Sequence, residues 1–193
     1  MWIKQQQLEG DFVILEPLNE RHIDGLALAV QDGEAWKIWF ANVPHFDDIT
    51  DYVVTAMKNA RAGNIAYAVR CKTTNKIVGT TRYYNVDSQN KRAMLGYTWY
   101  CNSVCRTAIN TECKYLLLKN LFEIYQANAV EFRTHFFNQA SKNAIERLGA
   151  KQDGILRNHQ IMKDGSLRDT VVYSIIASEW LAVKCNLQDK LKR

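Results

Sequence analysis

The run Met94-Leu-Gly-Tyr-Thr-Trp-Tyr100 is rich in β-favouring residues. Five residues later begins Arg106-Thr-Ala-Ile-Asn-Thr-Glu-Cys-Lys-Tyr-Leu-Leu-Leu-Lys-Asn-Leu-Phe-Glu123, whose apolar positions recur at helical spacing. The pair reads as a strand that feeds a short polar loop into the open N-terminus of an amphipathic helix. The first N–H groups of such a helix have no carbonyl partner within it, and its macrodipole adds roughly half a positive charge there. A phosphate is well received at that point, so the stretch predicts an anion cradle at the end of a strand.

The rest of the chain fits a sheet around that unit. Residues 11–16 read as a strand, Pro17 and Asn19 as turn and cap, and 20–30 as a helix closed by Asp32-Gly33. A second helical region is expected over 34–62, interrupted near Pro44, with Asp47 and Thr50 as candidate caps and Gly63 as its end. Three β-rich runs, Ile65-Ala-Tyr-Ala-Val-Arg-Cys71, Lys76-Ile-Val-Gly-Thr-Thr-Arg-Tyr-Tyr84 and Lys91-Arg-Ala-Met-Leu-Gly-Tyr-Thr-Trp99, are separated by turn residues and predict an antiparallel meander. Beyond the cradle helix come a strand at Ala129-Val-Glu-Phe-Arg-Thr-His135 and a short helix from Asn138 to Gly149. Two strands joined by Lys163-Asp-Gly-Ser166 follow, then a terminal helix with Ser178 as its cap. The sum is an α+β chain, a single mixed and mostly antiparallel sheet with helices on both faces, read as one domain over 1–193.

Composition excludes several classes. The 193 residues are 47% hydrophobic and 23% charged, ordinary for a globular protein and not for a disordered one. No window approaches eighteen consecutive apolar residues, and the polar N-terminus has no signal core; neither a membrane association nor a secretory route is expected, and the expected address is cytoplasmic. The five cysteines lack the paired spacing of zinc sites, so reduced thiols and no metal are expected. The net charge of +5 is spread among acids without a basic run or a nucleic-acid motif, so no nucleic-acid partner is expected.

Four motifs stand in fixed order: Leu15-Glu-Pro-Leu-Asn-Glu-Arg-His22, Leu95-Gly-Tyr97, Asn110-Thr-Glu-Cys-Lys114, and Asn138-x-x-Ser141 with Leu148-Gly-Ala150. In that order the chain resembles the GNAT family of acetyl-CoA-dependent N-acetyltransferases, particularly the branch of the ribosomal-protein N-terminal acetyltransferases. The resemblance runs over residues 10–180, and it rests on the order and spacing of the motifs, since no single one is specific. It implies a sheet that splays between the strand ending near Tyr100 and the strand beginning near Ala129, with acetyl-CoA as co-substrate in the gap. It also implies acetyl transfer to a primary amine, on a small molecule or a protein N-terminus, by direct attack in a ternary complex. A GNAT-fold protein that binds CoA as a sensor without turnover is the other reading, and a homodimer is left open.

The resemblance carries roles onto residues here. The loop over Arg106, Thr107, Ala108, Ile109, Asn110 and Thr111 takes the place of the pyrophosphate-binding loop, although Ala108 and Asn110 stand where glycine is usual. Arg106 either adds a charge-assisted bond to phosphate or is solvated. Trp99 and Tyr100, with Tyr97 and Thr98, end the strand whose backbone groups meet the pantetheine arm and polarise the acetyl carbonyl; core packing is the usual fate of their side chains. Asn138 approaches the pantetheine or simply caps its helix. Ser141 takes the place of the acid that protonates the departing thiolate, because the position four residues on, often tyrosine in the family, is Ile145. Trp36, Trp39 and Phe40 either wall the acceptor or pack, and His22, His45, His135 and His159 read as structural or surface residues. The glutamate that close relatives carry two residues before the Gly-Tyr pair is replaced by Met94, so the expected carboxylate base is absent.

Overall fold

A computed structural model describes residues 2–60 and 63–192. Strands β1 (Leu8–Glu9) and β2 (Val13–Pro17) form a tight hairpin, and the 3-10 turn Glu20–His22 leads into helix α1 (Ile23–Gln31). Asn19 caps that turn as expected, its Oδ1 accepting from the N–H of Arg21 at 3.2 Å. Helix α2 (Ile49–Asn59) precedes the meander β3 (Ile65–Cys71), β4 (Ile77–Asp87) and β5 (Arg92–Tyr100). Then follow α3 (Ala108–Lys119), β6 (Ala129–His135), α4 (Gln139–Leu148), β7 (Lys151–Ile161), β8 (Leu167–Ile176) and α5 (Trp180–Lys192). The eight strands form one sheet in the order β1-β2-β3-β4-β5-β6-β8-β7; every neighbouring pair is antiparallel except β5 with β6. This is the α+β architecture expected from the sequence.

Three expectations are corrected. The segment 34–48 is not helical apart from the 3-10 turns Ala35–Lys37 and Phe46–Asp48, and the end of the predicted helix at Ala62 lies outside the described residues. Neither Asp47 nor Thr50 caps α2; the helix continues from the turn Phe46–Asp48, where His45 Nδ1 accepts from the N–H of Asp47 at 3.4 Å. Ser178 sits inside the 3-10 turn Ala177–Glu179, and it is the Glu179 carboxylate that accepts from the N–H of Ile176, at 3.3 Å. In both places a longer side chain reaches the orphan N–H across a 3-10 turn.

Residues of the first and third sequence motifs act as anchors. Glu16, buried on β2, accepts from Arg70 Nε of β3 at 2.5 Å and lies 2.8 Å from His22 Nε2. The Arg70 guanidinium holds its carboxyl down at about 2. Glu112, only 3% exposed, reaches from α3 into the β1–β2 hairpin and accepts from the N–H groups of Asp11, Phe12 and Val13 at 2.8, 2.7 and 2.8 Å. A Cβ on Gly10 would collide with that carboxylate, so the hairpin needs glycine there. Tyr83, fully buried on β4, donates its hydroxyl to the Leu117 carbonyl of α3 at 2.7 Å. The cradle helix is thereby tied to the sheet at two levels. No helix among the described residues is long and apolar enough to cross a membrane, and no group of histidine, cysteine or acidic side chains among them is arranged to hold a metal.

Glu112→Gln keeps shape but loses the charge and one acceptor oxygen, turning an amide donor toward backbone donors. It should lower stability by roughly 2–4 kcal/mol. Urea denaturation measures this; a change below about 0.5 kcal/mol would show that the clamp does not hold the helix.

Candidate active site

The site begins where the sheet comes apart. Strands β5 and β6 pair only through Arg92 with Ala129, Ala93 with Val130 and Met94 with Glu131. Beyond Met94 they diverge, so the expected splay is present. On its other side β5 pairs Trp99 with Thr80 and Gly96 with Arg82, which leaves Tyr97 and Thr98 facing the single residue Thr81. This is a β-bulge, and Tyr97 takes the left-handed conformation (φ 50°) that lets it form. A cavity of about 520 Å³ fills the gap. Its walls are the bulged end of β5, the diverging end of β6 and the first turns of α3 and α4, and the irregular segment around Phe40 and Val43 roofs it.

At the mouth of α3, Thr107 is the N-cap, its Oγ1 accepting from the N–H of Ile109 at 3.3 Å and donating to the Val104 carbonyl at 2.7 Å. Helix geometry leaves the N–H groups of Ala108 and Asn110 without a carbonyl four residues back. Ala108 is the first helical residue, so the backbone here does not require glycine. The strained position is Arg106, at φ 66°, where glycine would fit with less cost. Ile109 is buried in the core and contributes backbone alone, while Thr111 accepts from Arg147 of α4 at 3.1 Å and so joins the two helices.

Across the gap, Asn138 caps α4 by accepting from the N–H of Ser141 at 3.0 Å. Both residues also line the cavity, so Asn138 fills the capping role at a place open to a ligand. Trp99 and Tyr100 line it too. Four of the cavity-lining residues hold a buried polar atom without a hydrogen-bond partner: Trp99 Nε1, Tyr100 Oη, Asn110 Oδ1 and His135 Nε2. Atoms of this kind call for a polar ligand. Together with the helix-start cradle they fit a long, amide-bearing and phosphorylated molecule such as acetyl-CoA.

Several lining residues were not singled out from the sequence. Lys114, the last residue of the Asn110-to-Lys114 motif, is buried on the cavity floor and donates to Thr98 Oγ1 at 2.7 Å and Thr81 Oγ1 at 3.1 Å; burial pulls its ammonium down to about 8. Arg168 and His159 line the far end, on β8 and β7. His135 lines it as well, against the rings of Trp39, Phe40 and Phe137. Helical or alternating patterns do not reveal such residues, since strands β6, β7 and β8 bring them together from distant parts of the chain. Trp36 stays apart, packed edge-on against His45 and Phe46. Among the described residues no aspartate or glutamate lines the cavity. Met94 lies in a smaller recess beside Glu131, so a carboxylate at that position would stand next to another carboxylate rather than in the main cavity.

A splayed sheet, a bulged strand beside the gap and an open helix start at its edge make the frame of an acetyltransferase (GNAT) domain. Residues 13–151 match the acetyltransferase (GNAT) domain, and the chain belongs to that family, whose members use acetyl-CoA. The uncharacterized N-acetyltransferase p20 of Bacillus licheniformis is 25% identical over 114 residues, which make up 59% of this chain and 63% of that protein; the chain thus spans less than two thirds of this curated relative. A GCN5-related N-acetyltransferase from Brucella melitensis superposes with a TM-score of 0.89 at 26% identity, over 99% of this chain and 87% of the other. RimL, a ribosomal L7/L12 alpha-N-protein acetyltransferase, shares the fold with a TM-score of 0.76 at 19% identity, over 88% and 94% of the two chains.

Thr107→Asp separates folding from binding at the cradle. Aspartate caps a helix as well as threonine, so stability should change by no more than about 0.5 kcal/mol. Its charge opposes a phosphate at the same helix start, so CoA affinity should fall by on the order of 1–3 kcal/mol. Thermal melting and calorimetric titration with CoA measure the two; unchanged CoA affinity would move the phosphate site elsewhere.

Proposed function

We propose that the chain is an N-acetyltransferase that moves the acetyl group of acetyl-CoA to a primary amine, on a small molecule or a protein N-terminus, by direct attack in a ternary complex. One observation carries this reading: a single cavity runs from the α3 and α4 starts, past the bulge of β5, to Arg168 and His159. Both reactants can therefore share one space. The backbone over Arg106–Thr111 holds the phosphates and Asn138 the pantetheine arm, while Trp99 and Tyr100 flank it.

The amine nitrogen attacks the thioester carbonyl carbon; the C–N bond forms, the C–S bond breaks, and sulfur leaves as a thiolate. Backbone N–H groups freed by the β5 bulge lie on the wall where negative charge develops on the carbonyl oxygen, a form of stabilisation that does not depend on side-chain identity. Ser141, half-buried on the α4 wall, supplies the proton to the thiolate. A thiol of pKa near 8.5 needs modest help at neutral pH. Ser141→Ala should lower kcat by roughly 10–100-fold, with CoA affinity unchanged. Wild-type turnover in that variant would remove Ser141 from the reaction.

The attacking amine must be neutral, and no carboxylate lines the cavity to take its proton. His135 does not serve as the base: Nδ1 accepts from the N–H of Phe137 at 3.1 Å, which places the neutral ring's proton on Nε2. At pH 7 about 15% of an α-amine with pKa near 7.7 is neutral, against about 0.04% of a lysine amine near 10.4. Low-pKa amines are the favoured substrates, in keeping with the motifs that resemble the ribosomal-protein branch. Free-thiol release from acetyl-CoA across a panel of amines tests the reading, and kcat/KM should climb with pH until the substrate's own pKa is passed. A bell centred near neutrality on a lysine substrate would reveal a working base. No release with any amine despite CoA binding would leave a non-catalytic CoA-binding protein.

A further inference from the structure

The far end of the cavity holds a buried positive charge with no counterion. Arg168 is 8% exposed and lines the cavity, yet among the described residues no carboxylate lies within ion-pair distance of it. The acids nearby are engaged elsewhere. Glu131 pairs with Arg133 at 2.5 Å and Arg92 at 3.7 Å, and Asp169, on the opposite face of β8, accepts from Arg157 Nε at 2.5 Å and from the N–H of Asn158 at 2.8 Å. The Tyr84 phenol is pushed up to about 12 by burial and stays neutral. An arginine cannot shed its proton to escape this position, and a buried charge without a partner is costly.

Its neighbours are arranged as donors. Arg168 Nε donates to Thr170 Oγ1 at 3.0 Å, and that hydroxyl lies 3.1 Å from His159 Nδ1. The Thr170 hydroxyl, with one proton and two lone pairs, meets Arg168 Nε and His159 Nδ1 together and so ties the ring to the guanidinium. His135, 3% exposed, accepts at Nδ1 and in its neutral form carries its proton on Nε2, a buried atom without a partner. The bulge at 157–159, where Leu156 pairs with Thr170 and Gln160 with Arg168, is what brings His159 onto Thr170. One guanidinium and two imidazoles thus stand at the far end of a cavity that no acidic side chain lines among the described residues; the nearest carboxylate acting on His135, Asp169, is held by Arg157, and the guanidinium is the donor a carboxylate or phosphate requires.

We infer that Arg168, with His135 and His159, forms a subsite for an anionic group on the acetyl acceptor, so that the substrate is a small amine carrying its own carboxylate or phosphate. This rests on the acyl-transfer reading for the identity of the ligand, but not for the existence of the subsite. The test uses the full chain with CoA bound and no acetyl group, so that nothing turns over. Calorimetry compares glycine, β-alanine and 4-aminobutyrate with their amides, and with 2-aminoethyl and 3-aminopropyl phosphate; the chain lengths scan the distance and the two anions separate carboxylate from phosphate. At least one anionic amine should bind ten-fold or more tightly than its neutral counterpart. Arg168→Gln should bring that preference to within two-fold, and Arg168→Lys should keep part of it, charge without the fork. CoA affinity, unchanged in both, reports that the variants fold. Equal binding of anionic and neutral amines by the wild type overturns the inference, whatever the variants do, and so does a preference that survives Arg168→Gln. Thiol release measured separately with acetyl-CoA keeps the two readings apart: preference without turnover removes acyl transfer and leaves the subsite, and turnover without preference does the reverse.

Discussion

The carboxylate of Glu112, closed around three successive N–H groups of the β1–β2 hairpin, is the interaction on which the placement of the cradle depends. Any helix can offer a positive N-terminus; what makes this one a site is its fixed position at the end of β5. Glu112 sits one turn into α3, so it holds the N-terminal end of that helix rather than the far end. Lys114, two residues on, points its ammonium at threonines of β4 and β5. The motif from Asn110 to Lys114 is thus divided among three tasks: Asn110 offers an open acceptor to the cavity, Thr111 and Glu112 fasten the helix to α4 and the hairpin, and Lys114 braces the bulge.

Much of this was legible in the sequence because it is local. The strand, loop and helix around Tyr100 and Arg106 follow from periodicity, and Asn138 announces its helix by residue type. Segment 34–48 was misjudged because its apolar residues suggest a helix, while it folds as an irregular roof whose aromatic side chains reach the cavity or pack beneath it. The donor cluster of His135, His159 and Arg168 was invisible for a different reason. A histidine's role depends on what its second nitrogen bonds to, and those partners, the Phe137 N–H and the Thr170 hydroxyl, are set by strand register and bulges. The glycines usual at Ala108 and Asn110 are not needed because the residue with a left-handed backbone is Arg106, two residues before the helix begins.

The chemistry inherits this division. On the acyl-transfer reading the cofactor meets mostly backbone at the α3 start, where loop side chains matter less, and the acceptor meets side chains on β6, β7 and β8. No acid among the described residues lines the cavity, so on the same reading the substrate arrives already deprotonated and an anion it carries finds no opposing charge at the far end. Reactivity and selectivity are then set by one electrostatic fact.

The short pairing of β5 with β6 has a further meaning. Past Met94 each strand turns a bare row of backbone donors and acceptors toward the other, which gives the sheet two edges in its interior besides those at its rims. Exposed edges invite other chains to add to them. Here the invitation is directed inward, beneath the roof around Phe40, where only a slender guest enters. An extended molecule bearing peptide-like amides has the shape and the hydrogen-bonding groups of the strand that would complete the sheet.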